Sequence, residues 1–384
     1  MNILYHHRTR GEDAQGIHIQ ALCEAFRDLG HTVSVVGPVD PAHRRVPGDS
    51  ARRDGAHLFG LRVPPWLYEL LAIAYNVPDS LVLLYHMLRH RPKLVYERYA
   101  VFNVSGRLVS ALFRVPFILE VNAPLSLELK EHGGLAFEKA AQQVEDWSCR
   151  HATRTVVVSA AMAAIFIERG VPRERLMVVP NGVDRRQFHA RVDGTAMRRR
   201  LGVNDGLVVG FVGWVRPWHG VDKLIEAVAL LPDLAGKVAV VIVGDGPALS
   251  DLKERARALG IADRVVFTGA VAQAEVPGFL AAMDVAVQPD VTAYASPIKL
   301  FEYLAMGKAI IAPRRRNIEE IVVDGRHALL FAPGDARELA AAIRRLHHSP
   351  ELRRQLAGAA LDLFEERQYC WAANAQRILR AVGL

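Results

Sequence analysis

At 384 residues the chain exceeds what one hydrophobic core usually serves, so two domains of roughly 150 to 200 residues each are expected. Apolar residues make up 51% and charged residues 23%, an ordinary soluble globular balance. The net charge of +7 comes without basic residues interleaved with aromatics and without zinc-ligand spacing, which argues against nucleic-acid binding, and Cys23, Cys149 and Cys370 lie too far apart for a metal cluster.

The amino end, MNILYHHRTRG, enters a strand at once and lacks the successive zones of a signal peptide, and with three unpaired cysteines this predicts a reducing, cytoplasmic setting. His6 and His7 close that first strand, and a packing role is expected for them. The glycine-bearing loop RTRGEDAQGIHIQAL at 8–22 follows the strand and leads into a helix. Arg44, Arg45, Arg52, Arg53, Arg62, Arg89, Arg91 and Lys93 crowd the first quarter of the chain, beside its most apolar helices. They form either a solvated basic face or a surface attracted to an anionic membrane or a phosphate-bearing acceptor. The most lipophilic run, 66–88, contains Glu69, Asn76, Pro78 and Asp79 and falls short of about 20 uninterrupted apolar residues, which predicts helices and not a membrane span.

Strand and helix patterns alternate along the whole chain, as in parallel sheets covered by crossover helices. Strands are predicted at 2–7, 32–37, 93–97, 117–121, 154–159 and 176–180, then at 207–213, 238–244, 264–269, 285–289, 309–313 and 328–332. Glu97 and Glu120 end neighbouring strands of the first set, a pairing that suggests acid–base work. The polar, turn-rich stretch PNGVDRRQFHARVDGTAMRRR separates the sets. The expected division is a doubly wound, Rossmann-like α/β domain at 1–185, a linker at 186–205, a second such domain at 206–366, and a C-terminal helix at 367–384 that crosses back to the first. The two domains are expected to face a central cleft, and open parallel sheets bind ligands beyond the carboxyl ends of their strands.

Four loops that follow strands of the second set carry unusual residues. GFVGWVRPWHGVDKLIEA at 210–227 puts Gly213, Trp214, Arg216, Trp218 and His219 between a strand and a helix start, a basic setting suited to phosphate. In VGDGP, Gly244 and Gly246 allow a tight turn and close approach of backbone to a ligand. VVFTG at 265–269 is either a core strand with a terminating glycine or an apolar strand end offering backbone groups near Phe267 and Gly269 to a flat base. In SPIKLFEYLAMG, Ser296 reads as an N-cap and Pro297 as the first helical residue, with Lys299 third and Glu302 sixth on the same face. A lysine there opposes the helix dipole by some tenths of a kcal/mol unless an anion sits against it.

The stretches PNGVDRRQF, VGDGP, VVFTG and SPIKLFEYLAMGKAIIAP, in this order, resemble the retaining family 4 glycosyltransferases of GT-B fold. VYERYAVFNVSG and FILEVNAPLSLE resemble a subgroup found in bacterial surface-polysaccharide pathways. The resemblance implies a hexosyltransferase whose second domain binds a UDP- or GDP-linked sugar as co-substrate, with no cofactor, and whose first domain binds a glycan or polyprenyl-linked glycan acceptor. It implies transfer without a metal held by Asp-x-Asp, a motif this sequence lacks. Glu302 matches the acid that holds the donor ribose, and Lys299, with Ser296 and the backbone of Ile298 and Leu300, falls where the diphosphate sits. Gly16, with His18 two residues on, matches the first-domain loop that approaches the diphosphate, and Asn122 stands where many relatives carry a histidine near the donor sugar. By the same resemblance, Glu97 and Glu120 orient loops or the acceptor.

Three positions depart from the family pattern. Tyr294 replaces its first glutamate, and Trp214 and His219 replace an arginine and a lysine, which leaves Arg216 and Lys299 to neutralise the leaving group. These departures keep an inactive scaffold open as an alternative, and the shared fold keeps a sugar-nucleotide 2-epimerase open. The expected location is the cytoplasm, with peripheral association at the inner face of the plasma membrane.

Overall fold

The computed structural model describes residues 1–9, 14–38, 57–58, 61–62, 64–131, 134–203 and 206–384. They divide into two compact units, Met1–Pro180 with Trp371–Leu384, and Asn181–Cys370.

The first unit contains β1 (Asn2–His6), β2 (Thr32–Val36), β3 (His57–Leu58), β4 (Leu61–Arg62), β5 (Leu94–Arg98), β6 (Phe117–Val121), β7 (Arg154–Val157) and β8 (Leu176–Val178). Six of these form a parallel sheet in the order β2-β1-β5-β6-β7-β8, so the winding reverses between β1 and β5. β3 and β4 pair as a short antiparallel hairpin that the sequence pattern did not announce. Ile3, Tyr5, Leu94, Tyr96 and Ile118 bury one sheet face against the helix Ala14–Asp28 and the C-terminal helix Trp371–Arg380, which contributes Trp371 and Ile378. Arg44, Arg45, Arg52 and Arg53 lie outside the described residues.

The second unit holds β9 (Leu207–Val212), β10 (Val238–Val243), β11 (Val265–Phe267), β12 (Val285–Val287), β13 (Ala309–Pro313) and β14 (Leu329–Phe331). They form a parallel sheet in the order β11-β10-β9-β12-β13-β14, with the reversal between β9 and β12. Strands such as VAVVIV of β10 are apolar on both faces because helices cover both, and each face has its own core, one around Phe211, Leu224 and Ile242, the other around Val208, Phe301 and Ile310.

All the strands predicted for the two large sheets are present, with ends displaced by at most two residues. The last pair, Thr268 and Gly269, leaves β11 because Gly269 turns into the left-handed region at φ 69°. The stretch 186–205, expected as a linker, carries the helix Thr195–Leu201, whose Arg198 donates to the Ala282 carbonyl at 2.8 Å and pairs with Asp284. These contacts make it part of the second unit.

The run from Pro65 to His90 is helical, as expected. It forms helices Pro65–Ala74 and Asn76–His90 joined at Tyr75, which keeps right-handed helical angles. The supposed interruptions Asn76, Pro78 and Asp79 occupy the first turn of the second helix, where a missing proline N–H leaves no bond unmade. The combined 26 residues are long and apolar enough to cross a membrane by length and composition alone.

Candidate functional site

In the second unit the site grows from the end of β9. Gly213 follows this strand with φ 143°, and its N–H donates to the Val243 carbonyl at 2.9 Å. A Cβ at this position would meet Lys299 Cε at 2.9 Å and Nζ at 3.2 Å, so the glycine makes room for the lysine to lie across the strand end. Lys299 Nζ also stands 4.9 Å from the centroid of the Phe211 ring, a cation–π distance.

The helix that carries Lys299 runs from Ile298 to Ala305, with Pro297 as its N-cap and no side-chain cap. Ser296 is therefore not the cap expected from sequence, and Lys299 and Glu302 are the second and fifth helical residues. Ser296 Oγ instead accepts the Asn181 N–H at 3.1 Å, while Asn181 Nδ2 donates to the Ser296 carbonyl at 2.6 Å. The helix is anchored by Leu300, Phe301 and Tyr303, all fully buried. The Tyr303 hydroxyl accepts the Val212 N–H at 3.3 Å and donates to the Val287 carbonyl at 3.4 Å, tying the helix to the ends of β9 and β12. Asn317 Nδ2 bridges the carbonyls of Thr292 and Ala295 at 3.0 and 2.6 Å and shapes the loop before it. Asn181, Tyr303 and Asn317 had no assigned role in the sequence. The PNG motif was a usable signal for Asn181, whereas the other two act through contacts that only the tertiary structure creates.

Electrostatics single out the same helix. Burial pulls the Lys299 ammonium down to about 8 against the pull of Glu302, and pushes the Glu302 carboxyl up to about 7 against that of Lys299. Both groups titrate near neutrality. His219 is held down to about 3 by burial and by the nearby Lys299 and Arg216 cations, so it is neutral. Its Nδ1 is buried without a hydrogen-bond partner among the described residues, as are Asn181 Oδ1 and Gln288 Oε1. Buried polar atoms left unpaired are uncommon and mark places where a ligand or water completes the bonding.

The neighbouring loops are packed together by backbone. A Cβ on Gly244 would fall 2.2 Å from the Gly213 carbonyl oxygen, and one on Gly246 would fall 2.2 Å from that of Val215. The sequence assigned these glycines to a tight turn and close backbone approach to a ligand; the structure packs the 213–215 loop backbone against both. Gly244 N–H donates to the Gly269 carbonyl at 3.1 Å, and Val215 N–H to that of Asp245 at 2.8 Å, which aligns the loops after β9, β10 and β11. Phe267 is half-buried at the end of β11, 5.9 Å from Lys253 Nζ. Arg216 stacks on Trp218 at 4.9 Å, Trp214 is exposed, and Tyr294 is half-buried in the loop before the helix; Ile298 is half-buried as well.

The first unit gathers another polar cluster. Glu120, at the end of β6, is buried between Arg98 Nη1 at 3.0 Å, His18 Nδ1 at 3.2 Å, the Tyr5 hydroxyl at 3.4 Å and Asn122 Nδ2. Burial holds the His18 imidazole down to about 4. Gly16 lies in the first turn of the helix Ala14–Asp28, not in the preceding loop as expected, and residues 10–13 of that loop are outside the described set. His6 does more than pack. Its Nδ1 is 2.6 Å from Glu97 and its Nε2 3.2 Å from Asp79, and although burial opposes the charge, these two acids raise its pKa to about 9. Glu97 and Glu120 each satisfy a separate buried cation, so the paired-carboxylate idea finds no shared proton between them.

Comparison with known proteins places this geometry in a class. The family model "Glycosyl transferase 4-like domain" matches residues 14–182, and "Glycosyl transferases group 1" matches 194–362. The chain is 28% identical to an alpha-D-kanosaminyltransferase of Streptomyces kanamyceticus, over 72% of this chain and 73% of that protein. It is 34% identical to a D-inositol 3-phosphate glycosyltransferase of Geodermatophilus obscurus, over 69% of this chain and 62% of the relative. Among solved structures, Anabaena HepE in complex with UDP aligns over 100% of this chain and 99% of its own, with a TM-score of 0.77 at 21% identity. Sucrose-phosphate synthase from Thermosynechococcus elongatus aligns over 99% and 98%, with a TM-score of 0.75 at 20% identity. The two doubly wound units and these likenesses define a glycosyltransferase of GT-B fold. The chain belongs to the family 4 glycosyltransferases.

Proposed function

We propose that the protein transfers a hexose-type sugar from a UDP- or GDP-linked donor to a hydroxyl of a glycan or lipid-linked acceptor, with retention of anomeric configuration and no metal, in cell-surface polysaccharide synthesis. The observation that carries this is the convergence on the end of β9 of Lys299, the helix start at Ile298 and the unpaired Nδ1 of His219. Helix N–H groups and a lysine together form an anion seat, and Glu302, one turn further, is suited to accept hydrogen bonds from vicinal ribose hydroxyls. HepE was solved with UDP-glucose as well as UDP, which supports a nucleotide-sugar as the donor here.

In this scheme the bond from the anomeric carbon to the diphosphate oxygen breaks as the acceptor oxygen bonds to that carbon on the same face. The acceptor proton passes to a phosphate oxygen of the departing diphosphate. Lys299 and Arg216 stabilise the charge that develops there, while His219, being neutral, contributes a dipole and no charge. Tyr294, Gly213, Gly244, Gly246, Phe267 and Gly269, all in the second unit, shape the donor seat.

Calorimetric titration with UDP- and GDP-sugars, followed by product analysis with and without acceptor, tests the proposal. Saturable donor binding that Lys299→Ala weakens, with sugar transferred only when acceptor is present, is the expected result. Absence of binding to either nucleotide would favour the scaffold, and a free 2-epimeric sugar released without acceptor would favour the epimerase.

A further inference from the structure

The helix pair spanning Pro65–His90 in the first unit has two unlike faces. Its charged residues before Arg89 are Glu69 and Asp79, and both turn inward, at 2% and 6% exposure. Glu69 accepts the N–H groups of Ala136 and Phe137 at 2.5 and 2.9 Å. Asp79 takes a two-pronged contact from Arg8 at 3.0 and 2.7 Å, a bond from His6 at 3.2 Å and another from the Ser105 hydroxyl. The outer face is apolar throughout. Trp66, Leu70, Ile73, Val77, Leu81 and Tyr85 follow one another at helical spacing of three or four, each more than two-fifths exposed.

Exposed apolar stripes of this length are rare on monomeric proteins and mark an interaction surface. Charge and composition specify the partner. Arg89, Arg91 and Lys93, all exposed, follow directly at the end of the stripe. The helix Ser105–Phe113, which packs beside Asn76–His90, adds exposed Leu108 and Leu112 with Arg107 and Arg114 nearby. Aromatic and aliphatic side chains bordered by cations fit a bilayer surface with anionic headgroups. A crossing helix is disfavoured, because it would draw Glu69 and Asp79, with the protein groups that hold them, into hydrocarbon.

We propose that the outer face of the Pro65–His90 helix pair lies in the headgroup region of an anionic lipid bilayer, as a monotopic anchor pinned to the domain through Glu69 and Asp79. The anchor stands independently of the donor site, since its residues all belong to the first unit.

The test is flotation of the full chain with phosphatidylcholine vesicles, with and without phosphatidylglycerol. Wild type is expected to float, more so with the anionic lipid and less so in high salt. The double variant Leu70→Glu, Leu81→Glu is expected to lose at least ~10-fold in vesicle partitioning while its donor binding is unchanged. Should that variant fail to fold, brominated-lipid quenching of the otherwise unaltered chain reads the same contact, as the share of quenching that Trp66→Phe removes. No flotation by wild type, equal flotation by a folded variant, or no quenching at Trp66 overturns the proposal. So does a wild-type dimer in sedimentation that the variant dissociates, which would make a second copy the occupant. Resistance to alkaline extraction with the two ends of the helix pair labelled from opposite sides would make it a span and also overturn it.

Discussion

Lys299 and Glu302 are both ionised only in a narrow interval, and this sets two pH dependences. Glu302 is raised from 4.5 to about 7 in the folded chain, so its stabilising contribution is full below 4.5 and lost as pH rises through about 7. Lys299 is lowered from 10.5 to about 8, so its contribution is full above 10.5 and lost as pH falls through about 8. Between about 7 and 8 the unliganded site carries both penalties, and an anion against the lysine relieves one of them. The gain in melting temperature on adding UDP is therefore expected to be largest near neutrality and to shrink above about pH 8 as the ammonium deprotonates. In Lys299→Ala that alkaline loss should vanish, and turnover should fall ~10- to 100-fold, as expected for one charge-assisted contact. Gly213→Ala acts on the same lysine from the other side, because the new Cβ collides with Cε in a backbone region unfavourable to L residues. Calorimetry should show weakened donor binding for this variant with most of its melting temperature retained, whereas a wild-type affinity would mean that the lysine has no part in the seat.

At the scale of elements, the helix start at Ile298 was legible in sequence because proline after a polar residue fixes a boundary, but its phase was not. Ser296 is captured by Asn181, and no local pattern reports a partner more than a hundred residues away. The glycines of VGDGP were legible as a tight turn, yet their reason, the backbone of the 213–215 loop, is tertiary. The same holds for β1 and the helix Asn76–His90, which are locked by His6, Asp79, Arg8 and Ser105. Leaving one buried partner uncompensated costs ~3–5 kcal/mol, so Asp79→Ala is expected to lower the stability of the first unit by about that amount in urea unfolding. A loss below ~1 kcal/mol would mean that the network is solvated and does not pin the helix pair.

At the scale of the molecule, alternating apolar strands and amphipathic helices made both sheets readable, since period and length alone decide a doubly wound fold. What stayed hidden was the exposed face of Pro65–His90, because inward acids and outward leucines read identically in a linear sequence. The missing Asp-x-Asp gives a molecular-scale prediction, that EDTA leaves the transfer rate unchanged, and restoration of a lost rate by added divalent metal would oppose it. The most direct test of the central claim is a crystal structure of the full chain with an intact donor sugar nucleotide. The diphosphate is expected within hydrogen-bonding distance of Lys299 Nζ, with the ribose against Glu302. A diphosphate beyond reach of both Lys299 and Arg216, with the ammonium turned to solvent, would contradict the account.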